Sequence, residues 1–210
     1  HAPLFIVLLP VSAALLCMLF SRIQKNLGSW IVIASIVGAF LSAVTSLQRV
    51  IADGGKPIHY WMGNWQPPLG IEFVIDPISG ALAVLITFIA LLGSLYSLPF
   101  VKEEGWLHIG GYYTLYGLMT VGMCGMVITG DVFNLYVFLE VMSLSGYGLI
   151  AIGGKKSMLA AFRYLLIGTI GASLYLLGVG YMYALTGTLN MADMAVRAAE
   201  FLNYPLFALA

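Results

Sequence analysis

Four stretches of the chain, 2–21, 26–48, 77–101 and 105–130, run for 20, 23, 25 and 26 residues without a charge. A bilayer core about 30 Å thick is crossed by about 20 apolar residues in a helix, so each stretch can span a membrane. Two more, 132–154 and 157–186, hold one interior charge each, Glu140 and Arg163. Tyr204–Ala210 reads as the start of a seventh helix. These runs predict an all-α polytopic membrane protein with six complete transmembrane helices. Composition agrees: 61% of the 210 residues are hydrophobic and 9% charged, against about 25% charged in soluble domains. The solvent for most of this chain is lipid. A net charge of zero also excludes a basic nucleic-acid binder.

Punctuation sets the borders. Asp76-Pro77 fits an N-cap followed by proline at the first helical position. Gly153-Gly154-Lys155-Lys156 is a short break between the fifth and sixth spans. Met191–Asn203 has Asp193 and Arg197 at i, i+4 with apolar residues opposite, a pattern that predicts an interfacial helix. The loop 52–76 carries Pro and Gly between Ile58-His59-Tyr60-Trp61 and Ile71–Ile75, which predicts a short β-hairpin outside the membrane. His59, Trp61 and Trp65 admit a binding cleft there, but an aromatic interface belt with hairpin packing is the favoured reading.

Loop charges sort by side. Arg22, Lys25, Lys102, Lys155 and Lys156 with Glu103 and Glu104 give +3 on one side. Arg49, Lys56 and Arg197 against Asp53, Glu72, Asp76, Asp131, Asp193 and Glu200 give −3 on the other. Basic loops face the cytoplasm, so the N-terminus and the hairpin are expected outside. The first span has basic residues after it and none before, which fits a retained helix rather than a cleaved signal peptide.

Two charges remain inside the membrane. Glu140 lies nine residues past Asp131, about 13 Å into its span at 1.5 Å per residue. A charge at that depth costs roughly 2.5–3.5 kcal/mol unless it is partnered or hydrated. Its helical neighbours Tyr136, Ser143 and Tyr147 put hydroxyls above and below it on one face. Such a stripe can hold water and pass protons. Desolvation favours the neutral acid and a nearby cation favours the carboxylate, so a group balanced between them can load and release a proton. Arg163 lies about 10 Å past Lys156, with Thr169 and Ser173 sharing a face further along. Two arrangements stand open for Arg163: a direct bond to Glu140, or a side chain snorkelling toward Lys156.

Other chemistry is sparse. Cys17 and Cys124 lie in apolar runs without a CxxC pair, and His1, His59 and His108 lie outside the long apolar segments, so no metal, haem or cluster site is expected. No phosphate loop, dinucleotide fingerprint or nucleophile–base pair is present, and neither a cofactor nor catalytic chemistry of its own is expected. The glycines of the fourth span (110, 111, 117, 122, 125, 130) and the sixth (168, 171, 178, 180) read as close-packing positions.

The stretch Thr129-Gly130-Asp131-Val132-Phe133-Asn134-Leu135-Tyr136-Val137-Phe138-Leu139-Glu140-Val141-Met142 strongly resembles the fifth-helix motif of the D-type component of Mrp-type multisubunit cation/proton antiporters. That family extends to the antiporter-like subunits of complex I and membrane-bound hydrogenases. Leu69–Ser79 resembles the segment entering the family's third helix, and Tyr183–Asn190 its sixth-helix exit. The resemblance implies about fourteen helices in two inverted repeats of five, each with a broken helix. This chain then covers three leading helices (1–109) and part of the first repeat (110–210). It implies that Glu140 is the family's essential fifth-helix glutamate, whose usual partner is a seventh-helix lysine beyond this chain. Arg163 falls where many relatives carry a basic sixth-helix residue.

The expectation is a proton-translocating subunit of a multisubunit cation/proton antiporter in a prokaryotic cell membrane, with the lipid bilayer and other subunits as partners. Protons and a monovalent cation, Na+ first, are the expected cargo. Two rivals are the homologous pumping module of a redox complex and a purely structural membrane scaffold.

Overall fold

The computed structural model describes residues 1–24, 26–68, 70–101 and 106–199. Six long helices dominate: α1 (Ala2–Ile23), α2 (Leu27–Ala52), α3 (Pro77–Val101), α4 (Trp106–Ile128), α5 (Val132–Ala151) and α6 (Lys155–Thr186). All six are long and apolar enough to cross a membrane. The loop after α2 forms the expected hairpin, with β1 (Ile58–Trp61) antiparallel to β2 (Glu72–Ile75) and Trp61 opposite Glu72. A short helix, α7 (Met191–Ala198), follows α6. Its Asp193–Arg197 pair closes at 3.0 Å as the spacing predicts. The expected start of a seventh membrane helix at 204–210 lies outside the described residues, as do Lys25, Lys102, Glu103, Glu104 and Glu200.

Helix borders differ from the charge-free runs in one consistent way. α1 continues through Arg22, α2 through Arg49, and α6 begins at Lys155. Charge marks where hydrocarbon ends, whereas a helix ends where its backbone finds other partners. α4 stops at Ile128, short of Gly130, because Thr129 pairs in a β-bridge with Phe73 of the hairpin.

Helices α1, α2, α3 and α4 pack together, α5 packs on α4, and α6 packs on α5. Glycines decide how closely. A Cβ on Gly122 would fall 2.6 Å from the backbone N of Met142, and one on Gly125 would overlap the Phe138 ring, so α4 and α5 touch nearly backbone to backbone. Gly171 and Gly180 of α6 face open space instead. The core therefore sits among α1–α5, with Ile6, Phe73, Ile75, Val121, Cys124, Ile128 and Phe138 in one buried cluster.

The α3 cap forms as the sequence predicts. The backbone N–H of Ser79 donates to Asp76 Oδ1 at 2.6 Å, and the Ser79 hydroxyl accepts from the Asp76 backbone N–H at 2.8 Å. The Ser79 N–H holds the Asp76 carboxyl below the usual carboxylate range. Its contribution is present above the ordinary carboxylate value of about 3.9 and is lost as pH falls through the lower folded-state value. Asp76→Ala is expected to cost about 1 kcal/mol, about 2–4 °C in melting temperature in detergent. Asp76→Asn keeps the cap but loses this acid dependence, so its melting temperature should fall less than wild type between pH 7 and pH 3.

Candidate functional site

The stripe around Glu140 faces α6. Glu140 sits mid-way along α5 and is half-buried. One turn before it, Tyr136 stacks on Tyr175 of α6 with centroids 6.5 Å apart and planes within 7°. Tyr175 donates its hydroxyl to the Val132 carbonyl at 2.9 Å, which ties the same two helices. Two turns after Glu140, the buried Tyr147 meets Tyr164 edge-on at 4.8 Å. Ser143 lines a cavity of about 320 Å³ between α4, α5 and α6, with Met119, Met123, Met142 and Tyr164. The structure thus brings Tyr136, Ser143 and Tyr147 to the α6-facing side and adds Tyr164 and Tyr175. Sequence reading missed these two because nothing local tells which face of α6 meets α5.

Arg163 is not brought to this stripe. Ala161, Ala172 and Val179 are the buried residues that mark the α5-facing side of α6. Arg163 follows Ala161 by two residues, about 200° around the helix, and is exposed. Among the described residues the ion pairs are His59–Glu72 and Arg197–Asp193, and Arg163 makes none with Glu140. Thr169 and Ser173 are exposed, and their hydroxyls donate to the carbonyls of Leu165 and Thr169 at 2.7 and 2.8 Å. Of the two arrangements open to Arg163, the direct bond is not formed.

A second polar cluster lies at the hairpin end of the bundle, where His1 also reaches Tyr60 at 3.2 Å. Glu72 is its centre. Its side chain is 8% exposed and accepts three hydrogen bonds: Oε1 from His59 Nδ1 at 2.6 Å and Trp61 Nε1 at 3.1 Å, Oε2 from Asn190 Nδ2 at 2.9 Å. The Glu72 carbonyl accepts from the Gly130 N–H at 2.9 Å. Asp131 caps α5 through the Asn134 N–H at 2.7 Å, and Asn134 Nδ2 donates to Thr129 Oγ1 at 3.0 Å. A cavity of about 260 Å³ opens beside it, lined by His59, Glu72, Asp76, Ser79, Thr129 and Asn190. Sequence reading grouped His59 with Trp61 and Trp65. Two of these meet at Glu72, while Trp65 is 64% exposed and lies apart. Alternation in the strands was the available signal, since His59 and Trp61 share a face with Glu72.

Residues 72–79, 129–134 and 188–190 meet here, and they fall within the three stretches, 69–79, 129–142 and 183–190, whose sequences resemble the antiporter-like subunits. Comparison with known proteins agrees. Residues 129–209 match the family described as NADH:quinone oxidoreductase/Mrp antiporter, TM. The chain is 43% identical over its whole length to NADH-quinone oxidoreductase subunit N of Desulforudis audaxviator, covering 42% of that protein. It is 32% identical to the D-type component of the Na(+)/H(+) antiporter of Bacillus subtilis, over 92% of this chain and 38% of that one. The chain belongs to this antiporter-like family. Among solved structures, the membrane-bound sulfane sulfur reductase, an archaeal respiratory membrane complex, superposes on 99% of the chain with a TM-score of 0.90 at 32% identity. This antiporter-like chain spans about two fifths of the length of the curated relatives it matches.

The α5–α6 contact offers a direct test. A Cβ on Gly168 would overlap the Tyr147 hydroxyl. Gly168→Ala should therefore destabilise the protein, and Tyr147→Phe should relieve the worst of the clash, leaving the ring Cζ 3.0 Å from the new Cβ. The double variant is expected to recover part of the loss, with a coupling of about 0.5–3 kcal/mol, read from thermal unfolding in detergent. Strict additivity would mean that the two helices do not meet there.

Proposed function

We propose that the chain is part of a membrane-embedded proton-translocating subunit of a multisubunit monovalent-cation/proton antiporter. The observation that carries the proposal is a half-buried carboxylate, Glu140, midway along a membrane helix on a stripe of hydroxyls that opens toward a loosely packed neighbour. A charge so placed is expensive and calls for a functional account. Glu140 is the proton-loading group. Tyr136, Ser143 and Tyr147 hold the water that relays protons to and from it. Arg163 supplies positive charge on α6, and Thr169 and Ser173 extend the polar surface of that helix. The subunit lies in a prokaryotic cell membrane with its N-terminus and hairpin outside, in accord with the −3 and +3 loop charges. It works beside other subunits, with Na+ as the exchanged cation.

A second reading has its own support. The 43% identity to a quinone oxidoreductase subunit and the close superposition on an archaeal respiratory complex fit a redox-driven pump in which partner subunits supply the driving reaction. Both readings use the same glutamate.

Glu140→Gln keeps size and hydrogen bonding but cannot titrate. In membrane vesicles holding the intact complex, this variant should assemble at wild-type levels and lose ion-coupled proton movement. Retained coupling would overturn both transport readings and leave the scaffold. Iron–sulfur proteins in the purified complex would decide for the redox-driven pump.

A further inference from the structure

Helix α6 is held along one side and at its two ends. Among the described residues it packs on α5 and α7, and most of its long surface is uncovered: Leu159, Phe162, Leu166, Ile170 and Leu174 are all exposed. At one end the Gly153-Gly154 turn joins it to α5, with the Gly153 and Gly154 N–H groups bonded back to Ile150 and Ala151. At the other, the Val132 N–H donates to the Leu189 carbonyl at 3.0 Å and the Met191 N–H to the Gly130 carbonyl at 2.9 Å. Among the described residues, the bond that reaches from there across to the hairpin is a side-chain one: Asn190 to Glu72.

We propose that Glu72 is a positioning residue, whose buried carboxylate, shared between His59 and Trp61 of the hairpin and Asn190 beyond α6, fixes the gap between α5 and α6 onto which Glu140 opens. The proposal rests on the reading of Glu140 as the proton site. Its chemistry is specific. All three partners are donors, and the Asn190 amide cannot turn over without cost, because its Oδ1 accepts from the Asp193 N–H at 3.1 Å and caps α7. An ionised carboxylate satisfies all of them with its two oxygens. A neutral amide cannot. In Glu72→Gln the NH₂ group must confront a donor, either the buried Asn190 amide or the Trp61 indole, and that donor loses its partner in the cluster. The Glu72 carbonyl holds Gly130 and hence the start of α5, so one residue sets the near ends of both helices.

The test follows from that donor count. When Glu72→Gln is combined with Asn190→Asp, the amide oxygen at position 72 can accept from His59 and Trp61. Its NH₂ then donates to the carboxylate at position 190, which still caps α7. In vesicles carrying the intact complex, Glu72→Gln should reduce proton-coupled transport about tenfold at unchanged subunit abundance. The double variant should return it to within about threefold of wild type. The gap itself is read without reference to transport, from spin labels at Leu144→Cys and Ile167→Cys in the purified complex; both positions are exposed, and Cys17 and Cys124 are buried. Glu72→Gln should lengthen and broaden that distance, and the double variant restore it. An unchanged distance in Glu72→Gln, loss of protein in proportion to loss of transport, or no rescue in the double variant would each overturn the proposal. If Glu140→Gln retains transport while the distance responds to Glu72, the proton-site reading fails and the positioning effect stands.

Discussion

Hydrocarbon offers no partner to a backbone N–H or C=O, and each one left bare costs several kcal/mol. Within the membrane that leaves only helix, so every irregular segment of this chain must satisfy its polar groups at the two ends of the bundle. At the hairpin end it does so by pairing segments that are remote in sequence. Thr129 bridges Phe73, Asp131 bridges Asn190, and Glu72 accepts from Gly130 through its backbone and from Asn190 through its side chain. The hairpin is thus the strand against which the end of α4 finishes its hydrogen bonding, and the exit of α6 pairs in turn with Gly130–Val132. Where this pairing starts is where α4 ends, which sets the first turn of α5 and so the depth of Glu140.

Much of this was legible. Hydropathy gives the spans because lipid exposure leaves few alternatives for a 20-residue apolar run, and Asp76 is a cap written into the local sequence. The depth of Glu140 follows from counting residues past Asp131. The polar cluster was not legible from spacing, since Glu72 and Asn190 are 118 positions apart and no periodicity links a strand to a helix cap. Resemblance did better. It singled out the three segments that converge there, without saying that they touch.

Arg163 shows where counting stops. Depth along a helix comes from a rise of 1.5 Å per residue, but facing comes from rotation, and rotation is fixed by the neighbour. Small and aromatic residues decide it in α6: Ala161, Gly168, Ala172 and Tyr175 fit against α5, and Arg163 is turned away. Two charges at compatible depths on adjacent helices are therefore not a pair. The hydroxyl stripe on α5 was readable because its members share one helix, at i−4, i+3 and i+7 from Glu140.

The contrast between the two faces of α5 bears most directly on function. Toward α4, Gly122 and Gly125 bring backbones together and Phe138 fills the seam between them. Toward α6 the contact is made by tyrosine rings at 4.8 and 6.5 Å, and a cavity of about 320 Å³, walled also by Met119 and Met123 of α4, remains beside Ser143. A close-packed seam resists displacement because any shift creates overlap or voids. An interface of a few aromatic contacts opens at lower cost, and opening is drawn from such regions. Glu140 faces the second kind. On the proposed reading of Glu140, a carboxylate that meets water in one state and is shielded in another needs one wall that holds and one that yields, and α5 separates them.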